Sequence, residues 1–160
     1  MSSKILFLEY STSFSCKYTG KNLTAFAVRV HAHMHGDVNA AYRVRNGEMT
    51  EIAKIDPQLP QAFYPMKQIL DIKNGDILLG MCTYHNNENR TIYPGSTHTD
   101  EMCNVYIMYY TENAQEVMGV CGGSSYPELE RKIPADAKVK PDSSLNSGGH
   151  NHESQGQWNK

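Results

Sequence analysis

Asn46-Gly47 stands between two alternating, partly apolar runs, Asn39 to Arg45 and Met49 to Ile55. Asn and Gly are the residues that most readily take the two positive φ angles of a tight hairpin turn. This pair therefore predicts two antiparallel strands joined by two residues. The same punctuation recurs: Asn74-Gly75 separates Ile69 to Ile72 from Asp76 to Tyr84. Thr24 to Val30 alternates and is rich in Ala, Phe and Val, and Val105 to Tyr110 is a run of β-prone Val, Tyr, Ile and Met. Pro57, Pro60 and Pro65 make Asp56 to Pro65 an extended, irregular crossing, and Asn86 to Asn89 reads as a polar loop. No segment sustains a 3.6-residue period. Short strands with Gly, Asn and Pro turns predict an all-β antiparallel sandwich or barrel.

The chain has 160 residues, enough for one domain with a core. A net charge of -2 gives no attraction for nucleic acid or an anionic membrane surface, and no apolar run is long enough for a membrane span. Ile5 to Leu8 is about half the apolar length a signal peptide needs, and no small-residue cleavage site follows. The start is therefore read as a truncated or rearranged gene end. From Ala135 the composition shifts, and Asp142 to Lys160 is Ser, Gly, Asn, Gln and His with little to bury. Residues 135–160 are read as a disordered tail in which His150 and His152 form at most a weak metal pair.

Cys16, Cys82, Cys103 and Cys121 include no C-x-x-C pair. An even number at wide spacing suits two disulfides in an oxidising compartment, with three pairings open. Asn22-Leu23-Thr24 and Asn89-Arg90-Thr91 are glycosylation acceptor triplets.

In a strand, residues 29, 31, 33 and 35 point one way, so Arg29, His31, His33 and His35 share a polar face while Val28, Val30 and Ala32 face the core. Two imidazoles at i and i+2 can reach one metal. A thioether from elsewhere would select cuprous copper, and a third imidazole from His35 would select zinc. Three readings stand on the residues alone: a His/Met copper site, a zinc site on His31, His33 and His35, and a binding module with a polar face.

The string His31-Ala32-His33 is followed by Tyr42 to Gly47, by Pro57-Gln58-Leu59-Pro60-Gln61-Ala62-Phe63-Tyr64-Pro65, and by Asp100-Glu101-Met102-Cys103-Asn104-Val105-Tyr106-Ile107-Met108-Tyr109-Tyr110. In this order and spacing the chain, from Ser15 to Pro134, resembles the C-terminal half of the catalytic core of the peptidylglycine α-hydroxylating monooxygenases, copper type II, ascorbate-dependent enzymes. The resemblance implies an antiparallel β-sandwich of jelly-roll type over residues 15–134, preceded by an atypical segment, residues 1–14. It implies that His31, His33 and Met102 hold the copper at which oxygen is activated. It further implies that Arg29 holds the C-terminal carboxylate of the peptide substrate, and that Asn104 and Tyr106 add polar contacts. Cys16 would pair with Cys121, and Cys82 with Cys103.

The implied reaction hydroxylates the α-carbon of a C-terminal glycine, with ascorbate as reductant and molecular oxygen as co-substrate, in the secretory lumen or outside the cell. The family's preceding domain, with a second copper on three histidines, is not seen here. Turnover is therefore expected to need that missing N-terminal copper domain as a partner. The alternative is a copper- and peptide-binding sandwich without turnover. Two local departures stand out. Met34 and His35 follow the second ligand where the family more often has histidine and an aliphatic residue, and His35 is read as a strand-end residue. Cys82-Thr83-Tyr84 and Glu88 to Thr91 look more like the sister enzyme dopamine β-monooxygenase, whereas Arg29 and the Pro-Gln string point back to the peptide enzyme.

Overall fold

The computed structural model describes residues 9–122 and 126–142. Seven strands form two antiparallel sheets: β1 (Glu9–Lys17), β2 (Leu23–His31), β3 (Gly36–Arg45), β4 (Glu48–Ile55), β5 (Tyr64–Ile72), β6 (Ile77–His85) and β7 (Asn104–Tyr110). One sheet runs β1-β6-β3-β4 and the other β5-β2-β7. The helical content of the described residues is one four-residue helix, α1 (Pro127–Glu130), and two 3-10 turns. The expected antiparallel sandwich is present.

The hairpin turn forms as its residues require: Asn46 has φ 52° and Gly47 φ 82°, both positive, and Arg45 pairs with Glu48 across it. Alternation then sorts the side chains. Val28, Val30 and Ala32 are buried, as the period of two predicts. Val28 packs with Ala41, Ile52, Ala53 and Leu70, so the core lies between the sheets and draws on both. Pro65 is tolerated inside β5 because β5 is an edge strand that owes no amide to an outer neighbour.

Two elements lie outside the strand pattern read from sequence. β1 pairs with β6 from Glu9–His85 to Lys17–Ile77 and runs through residue 15, where the resemblance begins. Its serines and threonines hide the strand signal, and the pairing with β6 supplies it. At the other end, Ala135–Lys138 forms a 3-10 turn whose Ala137 is fully buried against Ala40, Tyr42, Leu79 and Met81. His150 and His152 lie outside the described residues.

The disulfides are Cys16–Cys121 and Cys82–Cys103, the pairing that the resemblance implies. A charge network also staples the layers. The Arg45 guanidinium takes both oxygens of Asp76, through Nε and NH2 at 2.7 Å each, and Arg43 and Arg45 both reach Asp71 on β5. Lys73, 2.9 Å away, and then Arg45 hold the Asp71 carboxyl down at about 2. Burial pushes Asp76 up, but the Arg45 fork outweighs it and the net shift is downward. A carboxyl depressed in the folded state contributes stability that is fully present above its ordinary value, about 3.9, and is lost as pH falls through the folded value. The urea midpoint is therefore expected to be flat above about pH 5 and to fall between about pH 4 and pH 2. Asp71→Asn should make that fall shallower; an unchanged slope would remove Asp71 from the linkage.

Candidate metal centre

β2 is the central strand of its sheet, and its last residue, His31, pairs with Asn104, the first residue of β7. Arg29 pairs with Tyr106 two positions back. Residues directly opposite in an antiparallel pair share a face, so Arg29, His31, Asn104 and Tyr106 lie on one side of this sheet. That side is away from the core: Tyr106 is 43% exposed, while Val28 and Val30 on the other side are buried. The Arg29 guanidinium carbon lies 5.3 Å from the Tyr106 ring centroid, and Asn104 Nδ2 donates to Tyr106 Oη at 3.2 Å.

The strand stops at His31, and here the structure departs from the uniform face expected for residues 29 to 35. His33 follows in a turn whose rings meet edge to face, the His31 and His33 centroids 5.2 Å apart. His35 is buried at 8% exposure, with its Nε2 3.2 Å from Glu88 Oε1 but misaligned for a hydrogen bond. Among the described residues no three His, Cys, Asp or Glu side chains gather into a metal-holding group, so the three-imidazole arrangement of His31, His33 and His35 is absent. Gly36 closes the turn, and a Cβ there would collide with that of Ala32.

Hydrogen bonds decide which ring nitrogens are free. His33 Nδ1 lies 2.8 Å from the Asp100 carbonyl oxygen, which only accepts, so Nδ1 carries the hydrogen. His31 Nδ1 lies 2.7 Å from Gln61 Oε1. The same amide atom accepts from Arg29 NH2 at 3.1 Å, and because arginine only donates, that atom is the oxygen. His31 therefore also donates through Nδ1. With Nδ1 donating, the neutral form of each imidazole has its lone pair on Nε2, the arrangement in which outer partners orient metal-binding imidazoles. This donor set fits copper or another imidazole-binding ion.

The Met102 segment is tied to the histidine turn by one carboxylate. Glu101, 8% exposed, accepts from the His33 amide at 2.8 Å and the Met102 amide at 3.3 Å through Oε2, and from the His35 amide at 2.7 Å through Oε1. Tyr84, whose hydroxyl is pushed up first by burial and then by the Glu101 charge, stays protonated and donates to the Met102 carbonyl at 3.0 Å. Cys103, next in the chain, is bridged to Cys82 on β6. From the other side Gln58 Nε2 donates to the carbonyls of His33 and Gly36 at 2.7 and 2.9 Å. Glu101→Gln would set an NH2 against the His35 amide or against the amides of His33 and Met102. It should cost about 1.5–3 kcal/mol of stability and about 10–100-fold in copper affinity. Urea unfolding of the apo-protein and a copper titration measure the two, and unchanged values in both would remove Glu101 from the scaffold.

Sequence reasoning singled out His31, His33, Met102, Arg29, Asn104 and Tyr106 as candidates but not Gln58, Gln61, Asp100, Glu101 and Tyr84, which bond to them or to their segment. Four of these five sit inside two of the strings that carried the resemblance, Pro57 to Pro65 and Asp100 to Tyr110. Their roles depend on contacts 18 to 68 residues apart in sequence, which no local pattern encodes.

Comparison with known proteins matches residues 8–134 to the family described as copper type II ascorbate-dependent monooxygenase, C-terminal domain. Peptidylglycine alpha-amidating monooxygenase of Rattus norvegicus is 43% identical over 147 residues, covering 88% of this chain and 15% of the relative. The Mus musculus peptidyl-glycine alpha-amidating monooxygenase is 43% identical over 132 residues, 81% of this chain and 13% of the relative. Dopamine beta-hydroxylase of Bos taurus is 29% identical over 96 residues, 58% of this chain and 16% of the relative. The chain thus spans about a seventh of the length of the amidating relatives it matches.

Proposed function

The chain belongs to the copper type II ascorbate-dependent monooxygenase family, as its C-terminal domain, and from that premise we propose that it is the copper-holding, substrate-anchoring half of an enzyme that hydroxylates the α-carbon of a C-terminal glycine in peptides. The observation that carries this reading is the guanidinium of Arg29 beside His31. Its NH2 is bonded to Gln61, its plane is backed by Tyr106, and its buried Nε has no partner among the described residues. An arginine next to a pair of imidazoles suits a ligand that brings a carboxylate to a metal. An arylethylamine, the substrate class of the sister enzyme, has no carboxylate to offer.

In this reading His31 and His33, through Nε2, and Met102, through its thioether, hold the copper; a soft thioether favours the cuprous state. Copper, when bound, supplies the one-electron chemistry that couples ascorbate oxidation to oxygen activation. Arg29 takes the peptide carboxylate, with Asn104 and Tyr106 completing the anchor, and so fixes the glycine α-carbon beside the metal. Orientation of this kind is worth up to about 7–11 kcal/mol when the reacting groups are well aligned. Gln61 binds both the anchor and a metal ligand, so one side-chain amide couples the two positions. Phe63 at 40% and Met108 at 39% exposure offer apolar surface on which the rest of a peptide can lie.

The second electron comes, in this proposal, from another copper-bearing domain, and turnover needs that partner. The protein would work in the lumen of the secretory pathway or outside the cell, which two disulfides favour. No helix among the described residues is long and apolar enough to cross a membrane.

Copper titration of the ascorbate-reduced chain with X-ray absorption tests the centre. One copper per chain with two nitrogen ligands and one sulfur ligand is expected; a preference for zinc, or no sulfur, overturns it. Arg29→Gln tests the anchor. Affinity for a glycine-extended peptide should fall by about 1.5–3 kcal/mol, that of a charged hydrogen bond, while an amidated control hardly changes. Equal losses for both peptides would rule out a carboxylate clamp. Hydroxyglycine product on addition of the partner domain separates an enzyme half from a sandwich that binds copper and peptide without turnover.

A further inference from the structure

We propose that Asn22 is an N-glycosylation site, an assignment that rests on the reading that the chain folds in an oxidising lumen. Asn22 opens an Asn-Leu-Thr triplet and is exposed in the turn before β2, where Thr111 Oγ1 donates to its backbone carbonyl at 2.9 Å. Its amide side chain is therefore at the surface of the folded protein, where a glycan can be carried without displacing the core. Leu23 and Thr24, the other two residues of the triplet, enter the central strand.

Strand order explains why the triplet is available to the transferase at all. Thr24 pairs with Asp71 on β5 and with Tyr110 on β7. Both partners are made long after it. At about 5–20 residues per second, even the earlier partner, residue 71, follows residue 24 by about 2–9 s. Throughout that time the triplet has no strand to pair with and can take the extended form an acceptor needs. The Cys16–Cys121 bridge closes later still. The other triplet, at Asn89, differs in kind. Asn86 Nδ2 donates to the Arg90 carbonyl, the Glu88 amide donates to Asn86 Oδ1, and Arg90 pairs with Glu88. That loop is closed by bonds two to four residues long, which form as soon as it emerges and compete with the transferase.

Placement separates the two sites again. Asn22 and His31 stand at opposite ends of β2, about 30 Å apart at the usual rise of a strand. A glycan at Asn22 leaves the imidazoles and the Arg29 face clear. A glycan at Asn89 would rise from the loop that seats Glu88 against His35. The transfer itself is simple in its balance. The Asn22 side-chain nitrogen bonds to the first sugar of a polyprenyl-diphosphate-linked oligosaccharide, the sugar–phosphate bond breaks, the diphosphate leaves, and the amide proton goes to a base of the transferase.

The full chain, secreted from animal cells behind a cleavable signal peptide, provides the test. Treatment with peptide N-glycosidase F in 18O-water, followed by peptide mass spectrometry, should convert Asn22 to labelled Asp in most molecules. Asn22→Gln and Thr24→Val should each abolish that conversion and the accompanying gel shift. Mass after thiol alkylation reports the disulfides in the same sample. Four protected cysteines with an unmodified Asn22, or a glycan at Asn89 with Asn22 bare, would overturn the assignment. Free cysteines with Asn22 bare would overturn the lumenal reading and the assignment with it.

Discussion

Replacing Cys16 and Cys121 together by serine is expected to lower stability by about 4–5 kcal/mol, the chain-entropy value for a closed loop of about 100 residues. The bridge spans 105 residues. It joins β1 to a segment, residues 111–122, whose only regular structure is one 3-10 turn. That segment contributes Val117 and Met118, packed against the buried Tyr18, Leu23, Ala25 and Ile72. Besides the bridge, the segment is held by the Lys21 amide donating to the Glu116 carbonyl, by the Lys21–Glu116 ion pair and by Thr111 donating to the Asn22 carbonyl, so the loss includes whatever native contacts these fail to keep as well as denatured-state entropy. Urea unfolding should show a much lower midpoint, and the thermal midpoint should drop by about 10–25 °C. The Cys82–Cys103 pair closes only 21 residues and should cost less, about 3 kcal/mol in the same account. A loss under 1 kcal/mol for the long bridge would mean that residues 111–122 are held by their own packing.

If the proposed function holds, Met102→Ile is expected to abolish peptide hydroxylation measured with the partner domain added, and the sulfur signal of the cuprous protein, while leaving the fold in place. The fold is spared because the contacts of this residue that organise the chain are made by its backbone, whose amide meets Glu101 and whose carbonyl meets Tyr84. Isoleucine is close to methionine in volume, so a half-buried position can take it at a cost below about 1.5 kcal/mol. What it cannot replace is the soft, polarisable donor that favours cuprous over cupric copper and over zinc. The thermal midpoint of the apo-variant, its cuprous affinity and its absorption spectrum separate the two effects. Undiminished affinity for cuprous copper would take Met102 out of the donor set; a collapsed thermal midpoint would make its role structural.

Both predictions join residues that the chain keeps far apart, which bears on how much could be read in advance. The strands that alternate cleanly were legible, and so was the hairpin at Asn46-Gly47. β1 was not, because Ser11, Thr12, Ser13 and Ser15 carry little apolar signal and become a strand only by pairing with β6. The candidate ligands stand out in the sequence only as members of strings shared with the family, not through any local geometry. His35 shows the difference. Its spacing places it with His31 and His33, yet the end of β2 at His31 breaks the alternation, and the carboxylates of Glu101 and Glu88 draw His35 inward.

The sequence by itself determined the all-β class, the positive-φ turn, the buried side of β2 and the family, since each depends on residue types within a few positions or on strings that can be matched directly. Tertiary structure alone decided that Gln61 serves both Arg29 and His31, that Glu101 fastens the histidine turn to Met102, and that both Nε2 atoms keep their lone pairs. The reason is physical. Propensity and periodicity act over one turn or one strand, whereas β2 meets β7 only after some seventy residues of intervening chain have folded between them. A hydrogen bond made across that gap leaves no local trace in the order of the amino acids.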